Sequence, residues 1–320
     1  MNPNPWKKIA PPCEGFETRL VGPAHPLNLY WGRDSSKRYL FIYKFTSEKI
    51  PKKKSLPRLA GIDIGLARES SGSSNLVLRL MDSTHWEIFH TLCQDIILAT
   101  EDCPGPNEAT PTIIQRLGRW QDLLRRGQLG ILSGEQIRGL LSELLFLSDV
   151  VSPNLSWETA ILSWHGPEGA PQDFAVEQSA IEVKCQSGSS TPTVRISSAE
   201  QLEPQLPKGY LVVFTMTEMP KGDHSLNSVI RKIRAELLQN SDPDTRKRFE
   251  ELIYAAGYVK RDEYDDFRYN CISLTCFELR EGFPRILSSS LASGVAKVTY
   301  NISLAECSPF EARPAWWSET

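Results

Sequence analysis

The run Tyr-Leu-Val-Val-Phe-Thr-Met at residues 210–216 constrains the fold more than any other stretch of the chain. It is bare of charge and shows no apolar–polar alternation, so it reads as a strand buried on both faces, which must be covered on either side. The amphipathic stretches SLNSVIRKIRAELLQ and DTRKRFEELIYAA then predict two helices, and YNCISLTCFEL with AKVTYNISL predicts a final pair of strands. The expected class is α/β (α+β): a mixed sheet flanked by helices.

At 320 residues with 40% apolar residues, the chain can bury one large core or two modest ones. Two are expected. The stretches FETRLV, NLYWGRD, RYLFIYKF and SNLVLRLM read as strands, followed by a helix at HWEIFHTLCQDIILAT. The Pro-, Gly- and Asn-containing stretch EDCPGPNEATP then suggests a boundary near residue 105. This divides the chain into a β-rich domain at 1–105 and a second domain at 106–320, the latter opening on a helix at IIQRLGRWQDLLRR.

No stretch approaches the roughly 20 continuous apolar residues of a membrane span, and MNPNPWKKIAPPCEGF has no apolar run of the signal-peptide kind. The expected address is the cytoplasm. Seven scattered cysteines without a Cys-x-x-Cys pair fit reduced packing residues rather than a disulfide framework or zinc ribbon. The net charge of -3 gives no global attraction to nucleic acid. Binding of that kind must therefore rest on local patches, and four basic runs are available: Lys52, Lys53, Lys54 and Arg58; Arg125 and Arg126; Arg231, Lys232 and Arg234; and Arg246, Lys247 and Arg248. Such runs are as a rule solvated faces.

Chemistry concentrates in two elements. The first is a helix at EQIRGLLSELLFL, which Ser133 and Gln136 open with a capping-box pattern. Ile137, Leu140, Leu141, Leu144 and Leu145 form its apolar stripe, and Glu143 falls about 40° beyond the sector that ends at Leu147, so its carboxylate can reach a cleft beside the core. The second is the strand AIEVKC. Alternation sends Glu182 and Lys184 to one face and Ile181, Val183 and Cys185 to the other. If DFAV pairs with it through a two- or four-residue loop, with Val176 against Ile181, Asp173 lies opposite Lys184 and all three polar groups share a face; a three-residue loop without a bulge would turn Asp173 away.

Two carboxylates and a lysine on one face suit phosphodiester hydrolysis: hard oxygen ligands hold Mg²⁺, which acidifies a bound water and neutralises phosphate charge, while the ammonium orients that water and stabilises growing charge. A Glu-x-Lys triplet alone fits a solvent-facing strand ion pair equally well. This one is the chain's only Asp/Glu-x-Lys, on an apolar strand with an acid upstream. A rival constellation is GIDIG at 61–65, where Asp63 would be the metal-binding acid of a ribonuclease-H-like strand, although no second acidic strand follows and the pattern is also turn chemistry. The five histidines have no metal-ligand spacing, and the pairs Tyr30-Trp31 and Trp316-Trp317 suit packing better than base stacking.

The order helix-Glu143, Asp173, Glu182-Val183-Lys184, strand and helix resembles the restriction-endonuclease-like PD-(D/E)XK core. Over roughly residues 109–320, the pieces GLLSELLFL, WHGP, DF, IEVKC, RISSAEQL and FPRIL resemble a group of bacterial PD-(D/E)XK motif proteins. The resemblance implies that Asp173, Glu182 and Glu143 serve the metal, with Mg²⁺ as the ion and Mn²⁺ able to substitute. It makes Lys184 catalytic and Gln201 an accessory residue touching phosphate or water. It further implies DNA as substrate and a setting in bacterial restriction or phage defence beside other subunits; cutting of both strands would call for two active sites and hence a homodimer. The chain departs from the motif at Gln172, where the family name has a proline that supplies no ligand. The alternative is a non-cleaving DNA-binding or scaffolding subunit, against which stand the acids themselves, since without metal they repel phosphate.

Overall fold

The computed structural model describes residues 4–46, 51, 56–69, 72–125, 131–188, 192–295 and 297–318. Lys52, Lys53, Lys54 and Arg126 of the basic runs, and Ala296 of the last expected strand, lie outside the described residues. The chain divides into two compact units, residues 1–130 and 131–320.

The first unit is built on an antiparallel sheet of β1 (Phe16–Leu20), β2 (Asn28–Asp34), β3 (Tyr39–Phe45), β4 (Ile62–Arg68) and β5 (Ser74–Leu80), in the order β1-β2-β3-β5-β4. Its core includes Trp6, Leu29, Phe41, Leu76, Leu78 and Phe89. GIDIG belongs to edge strand β4, where Asp63 faces Arg79 across the ladder and accepts from its guanidinium at 2.8 Å. Asp63 is thus a surface cross-strand partner, not part of an acid cluster. Two helices follow, α1 (Trp86–Ala99) and α2 (Pro106–Arg125). The stretch around residue 105 does not end the unit: Pro106 takes the first position of α2, where a missing N–H costs nothing, and Gly105 accepts from the Glu108 and Ala109 amides. Buried Asp95 on α1 then binds Trp120 Nε1 at 2.9 Å and Arg116 at 3.4 Å, tying α2 to this unit.

The second unit holds α3 (Gly134–Phe146), a π-helical turn at Leu147–Val151, the short α4 (Ser152–Asn154) and α5 (Trp157–Ser163). A four-stranded sheet follows from β6 (Phe174–Val176), β7 (Ser179–Ser187), β9 (Lys208–Glu218) and β10 (Tyr269–Glu278), in the order β10-β9-β7-β6. The β7–β9 pairing is parallel and the other two are antiparallel. Ile181, Val183, Tyr210, Val212 and Phe214 pack under α3, α6 (Leu226–Asn240) and α7 (Pro243–Ala255), in a core that also takes Trp316 and Trp317. The opposite face, with Leu211 and Val213, meets a second layer made of β8 (Thr193–Ile196) and β11 (Tyr300–Ser303). The apolar strand is therefore covered on both faces, as its composition demands. The last two strands do not pair with each other as expected: β10 joins β9, and β11 joins β8. The physical reason is that Leu211 and Val213 need a lid, which Val194, Ile196 and Ile302 supply.

Among the described residues no helix is long and apolar enough to cross a membrane. All seven cysteines are free thiols. The basic runs on α6 and α7 are largely spent within the unit: Arg234 forks onto Glu250 with both bonds at 2.7 Å, Lys232 meets Asp149 at 3.1 Å, and Arg248 meets Glu168 at 2.6 Å.

The hairpin that sets the site turns on two residues, Glu177 and Gln178, with Val176 against Ser179. Glu177 adopts φ +52°, a left-handed conformation that a side chain makes costly. Glu177→Gly is expected to raise stability by roughly 0.5–1 kcal/mol. Urea unfolding of the two proteins checks this, with equal or lower stability of the variant as the contrary result.

Candidate active site

Four elements bring the site together. Helix α3 carries Glu143, and both halves of its capping box form: Ser133 Oγ accepts from Gln136 N at 3.3 Å, and Gln136 Oε1 accepts from Ser133 N at 2.9 Å. The predicted stripe is buried throughout, which turns half-buried Glu143 toward the end of β6. The π turn follows one residue after the helix ends, where the Ser152 amide reaches back to the Leu147 carbonyl; such turns recur at functional sites.

Strand β7 carries Glu182 and Lys184. Glu182 is 1% exposed, and its Oε1 lies 2.6 Å from Lys184 Nζ. Glu182 Oε2 is buried without a hydrogen-bond donor among the described residues.

Asp173 lies just before β6. The observed register, Val176 with Ser179, is displaced by two residues from the one expected, so Asp173 stands level with Glu182 rather than Lys184. An even displacement keeps the faces unchanged. The Asp173 carboxylate reaches β7 along the sheet edge, where Oδ2 accepts from Val183 N at 2.8 Å. Its backbone carbonyl accepts from His165 N at 2.8 Å and Gly166 N at 3.0 Å.

Gln201 comes from a 3-10 turn, Ala199–Leu202. Its Oε1 accepts from Ser197 N at 2.8 Å and Lys184 Nζ at 3.3 Å. Two donors on the oxygen fix the amide, leaving its N–H groups directed away from Lys184. Gln172 occupies the position of the family's proline and donates from Nε2 to the Glu200 carbonyl at 2.5 Å, so the segment before Asp173 is tethered to the turn that carries Gln201.

The structure thus brings together all five residues singled out in the sequence. Sequence reasoning assigned no role to Trp164 or Gly166. Trp164 is fully buried and donates from Nε1 to Glu143 Oε2 at 2.8 Å. An added Cβ on Gly166 would stand 2.8 Å from Asp173 Oδ1 and 2.9 Å from Glu143 Oε2. The usable signal was the tryptophan itself, since a buried indole N–H requires an acceptor.

The electrostatics follow from burial. Burial and the neighbouring Asp173 push the Glu143 carboxyl up to about 8, against the pull of the Trp164 N–H and Lys184. Burial likewise raises Asp173, opposed by Lys184 and the Val183 N–H, and raises Glu182 well above the carboxylate range. For Lys184 burial is the largest influence and pulls down, but Glu182, Asp173 and Glu143 together hold the ammonium above the ordinary lysine value.

A divalent metal fits this donor set. Three acids against one ammonium leave two surplus negative charges when ionised, all donors are hard oxygens, and one of them is an orphaned buried oxygen. Among the described residues no group of three or more His, Cys, Asp or Glu is already closed around one ion position. A magnesium site needs no such cage, because that ion binds through one or two carboxylates and keeps waters elsewhere.

In metal-free protein, the raised Glu143 value means that the folded state holds a proton the unfolded chain has released. The associated stability is complete below pH 4.5 and is lost as pH rises through about 8. Urea titrations between pH 5 and 8 in EDTA are expected to show falling stability, with a shallower fall for Glu143→Gln; parallel curves for the two proteins would contradict the assignment.

No curated protein and no solved structure matches the chain. Residues 2–305 match the model of the family described as "Putative PD-(D/E)XK family member, (DUF4420)". With nearly its whole length matched and the Asp173, Glu182 and Lys184 constellation assembled around β7, the chain belongs to this PD-(D/E)XK family.

Proposed function

We propose that the chain is a Mg²⁺-dependent deoxyribonuclease that hydrolyses DNA phosphodiester bonds from a restriction-endonuclease-like core. The observation that carries this reading is the convergence of Glu143, Asp173 and Glu182 with a charged Lys184, one carboxylate oxygen lacking any donor among the described residues. Asp173 and Glu182 would hold the ion, assisted by Glu143, and Mn²⁺ would substitute. When bound, such an ion neutralises phosphate charge and lowers the pKa of a coordinated water.

The protein's own groups do the rest. Lys184, kept protonated by the acids around it, orients the attacking water and stabilises the charge growing on the phosphoryl oxygens. As a cation it is a donor, not a base. Gln201, its oxygen held by Ser197 N and Lys184, presents its N–H groups to water or phosphate. The Val183 amide keeps one Asp173 oxygen engaged, leaving Oδ1 for the ion. The same reading extends to a cytoplasmic bacterial restriction or phage-defence setting with further subunits, and to a homodimer where both strands are cut, since cutting both strands calls for two active sites.

The test is incubation of wild type, Asp173→Ala and Lys184→Ala with supercoiled and linear DNA in Mg²⁺, Mn²⁺ or EDTA. Cutting is expected for wild type with either metal and not in EDTA. Lys184→Ala should be slower by about 10²–10⁴-fold, the usual range for a lost proton-transfer or charge-stabilising group. DNA bound yet intact in every condition, indifferent to Asp173→Ala, would instead mark a non-cleaving binding subunit.

A further inference from the structure

Glu143 and Asp173 belong to different elements, and a single turn between them in sequence, Trp164–Gly166, touches both. The Trp164 indole donates to Glu143 Oε2, and the two amides that follow, His165 N and Gly166 N, donate to the Asp173 carbonyl. The turn is itself anchored. Trp164 pairs with Phe174 in an isolated antiparallel bridge and stacks on its ring at 6.4 Å, while Phe249 flanks the indole at 6.5 Å.

Gly166 is not needed for its backbone, because its φ lies outside the left-handed region. The requirement is space. A β-carbon there would stand within 3 Å of both Asp173 Oδ1 and Glu143 Oε2. Glu143 is long enough to swing from an intruding methyl, whereas Asp173 is short and held through Oδ2 by the Val183 amide. The two contacts under 3 Å are both carboxylate oxygens, with the Asp173 Cα at 3.4 Å, so an alanine at 166 displaces the carboxylates before it displaces the backbone.

We infer that the Trp164-His165-Gly166 turn positions the acids: Trp164 fixes the reach of Glu143, and the absent side chain of Gly166 lets Asp173 and Glu143 pack against its backbone at the spacing with which the two carboxylates share a cation. This rests on the metal-dependent reading above and adds to it two residues that bear no ligand. Positioning groups around metal ligands typically change affinity by about 10- to 100-fold.

The test uses the full chain, stripped with EDTA and titrated with Mn²⁺ alone by isothermal calorimetry, with Tm in EDTA measured alongside. Gly166→Ala is expected to keep its Tm within a few degrees of wild type and to bind Mn²⁺ at least about tenfold more weakly. Trp164→Phe, which removes the N–H and keeps a ring, should bind Mn²⁺ more weakly as well. Gly139→Ala on α3, where nothing stands within 4 Å of the added carbon, should bind as wild type does. Wild-type affinity in Gly166→Ala or in Trp164→Phe overturns the positioning role while the nuclease reading stands. Should Gly166→Ala fail to fold, Trp164→Phe decides alone. Absence of Mn²⁺ binding by wild type, together with intact DNA in the cleavage assay, overturns both.

Discussion

A carboxylate buried in the middle of a sheet, as Glu182 is, has little access to water, and its surroundings answer to that. Around it lie Lys184 and, through it, Gln201, together with Asp173 and Glu143, which are themselves acids. Burying like charges together is unfavourable unless something offsets it, and one ammonium cannot offset three acids. A fold that existed for stability alone would replace such a group with apolar residues at little cost. Its presence in the middle of a well-packed sheet is the strongest physical sign that this part of the molecule was shaped by chemistry, and it explains why the surrounding backbone is so thoroughly tied by hydrogen bonds.

Those ties also divide labour between the two faces of the central sheet. Ile181 and Val183 face the helices, where α3 and α6 seal the core, whereas Leu211 and Val213 face the small β8–β11 layer. Glu182 and Lys184 alternate with the former, so their face is the one that the small layer covers only in part. The 3-10 turn with Gln201 follows β8 directly. The lid that shields the apolar strand is thus also the element that delivers a polar residue to the site.

What the sequence disclosed tracks how local each feature is. The stripe of α3, the capping box at Ser133 and the alternation of β7 are short-range patterns, and they put Glu143 on a helix and Glu182 and Lys184 on one face of a strand, as the structure has them. Asp173 was found for a reason that only partly held: the hairpin pairs two residues away from the expected register, and only the even size of that displacement preserved the geometry. Long-range pairings were beyond reach. Nothing in YNCISLTCFEL or AKVTYNISL says which earlier strand each will join, because that depends on which apolar face remains uncovered. Around residue 105 the signal is ambiguous for a different reason, since a proline that breaks a helix interior also starts one, as Pro106 does for α2. Trp164 could have been flagged only by asking where a buried indole N–H finds its acceptor.

Gln172 gives the region a mechanical property. Through its bond to the Glu200 carbonyl, the peptide leading into Asp173 and the turn bearing Gln201 are linked by a single side chain. Because the neighbouring residues of both segments contact the same β7 pair, Asp173 through Val183 and Gln201 through Lys184, the link closes a loop of contacts around the strand. A displacement of either segment is therefore transmitted to the other. A proline at 172 would stiffen only its own peptide; the glutamine instead ties the segment before Asp173 to the turn that bears Gln201.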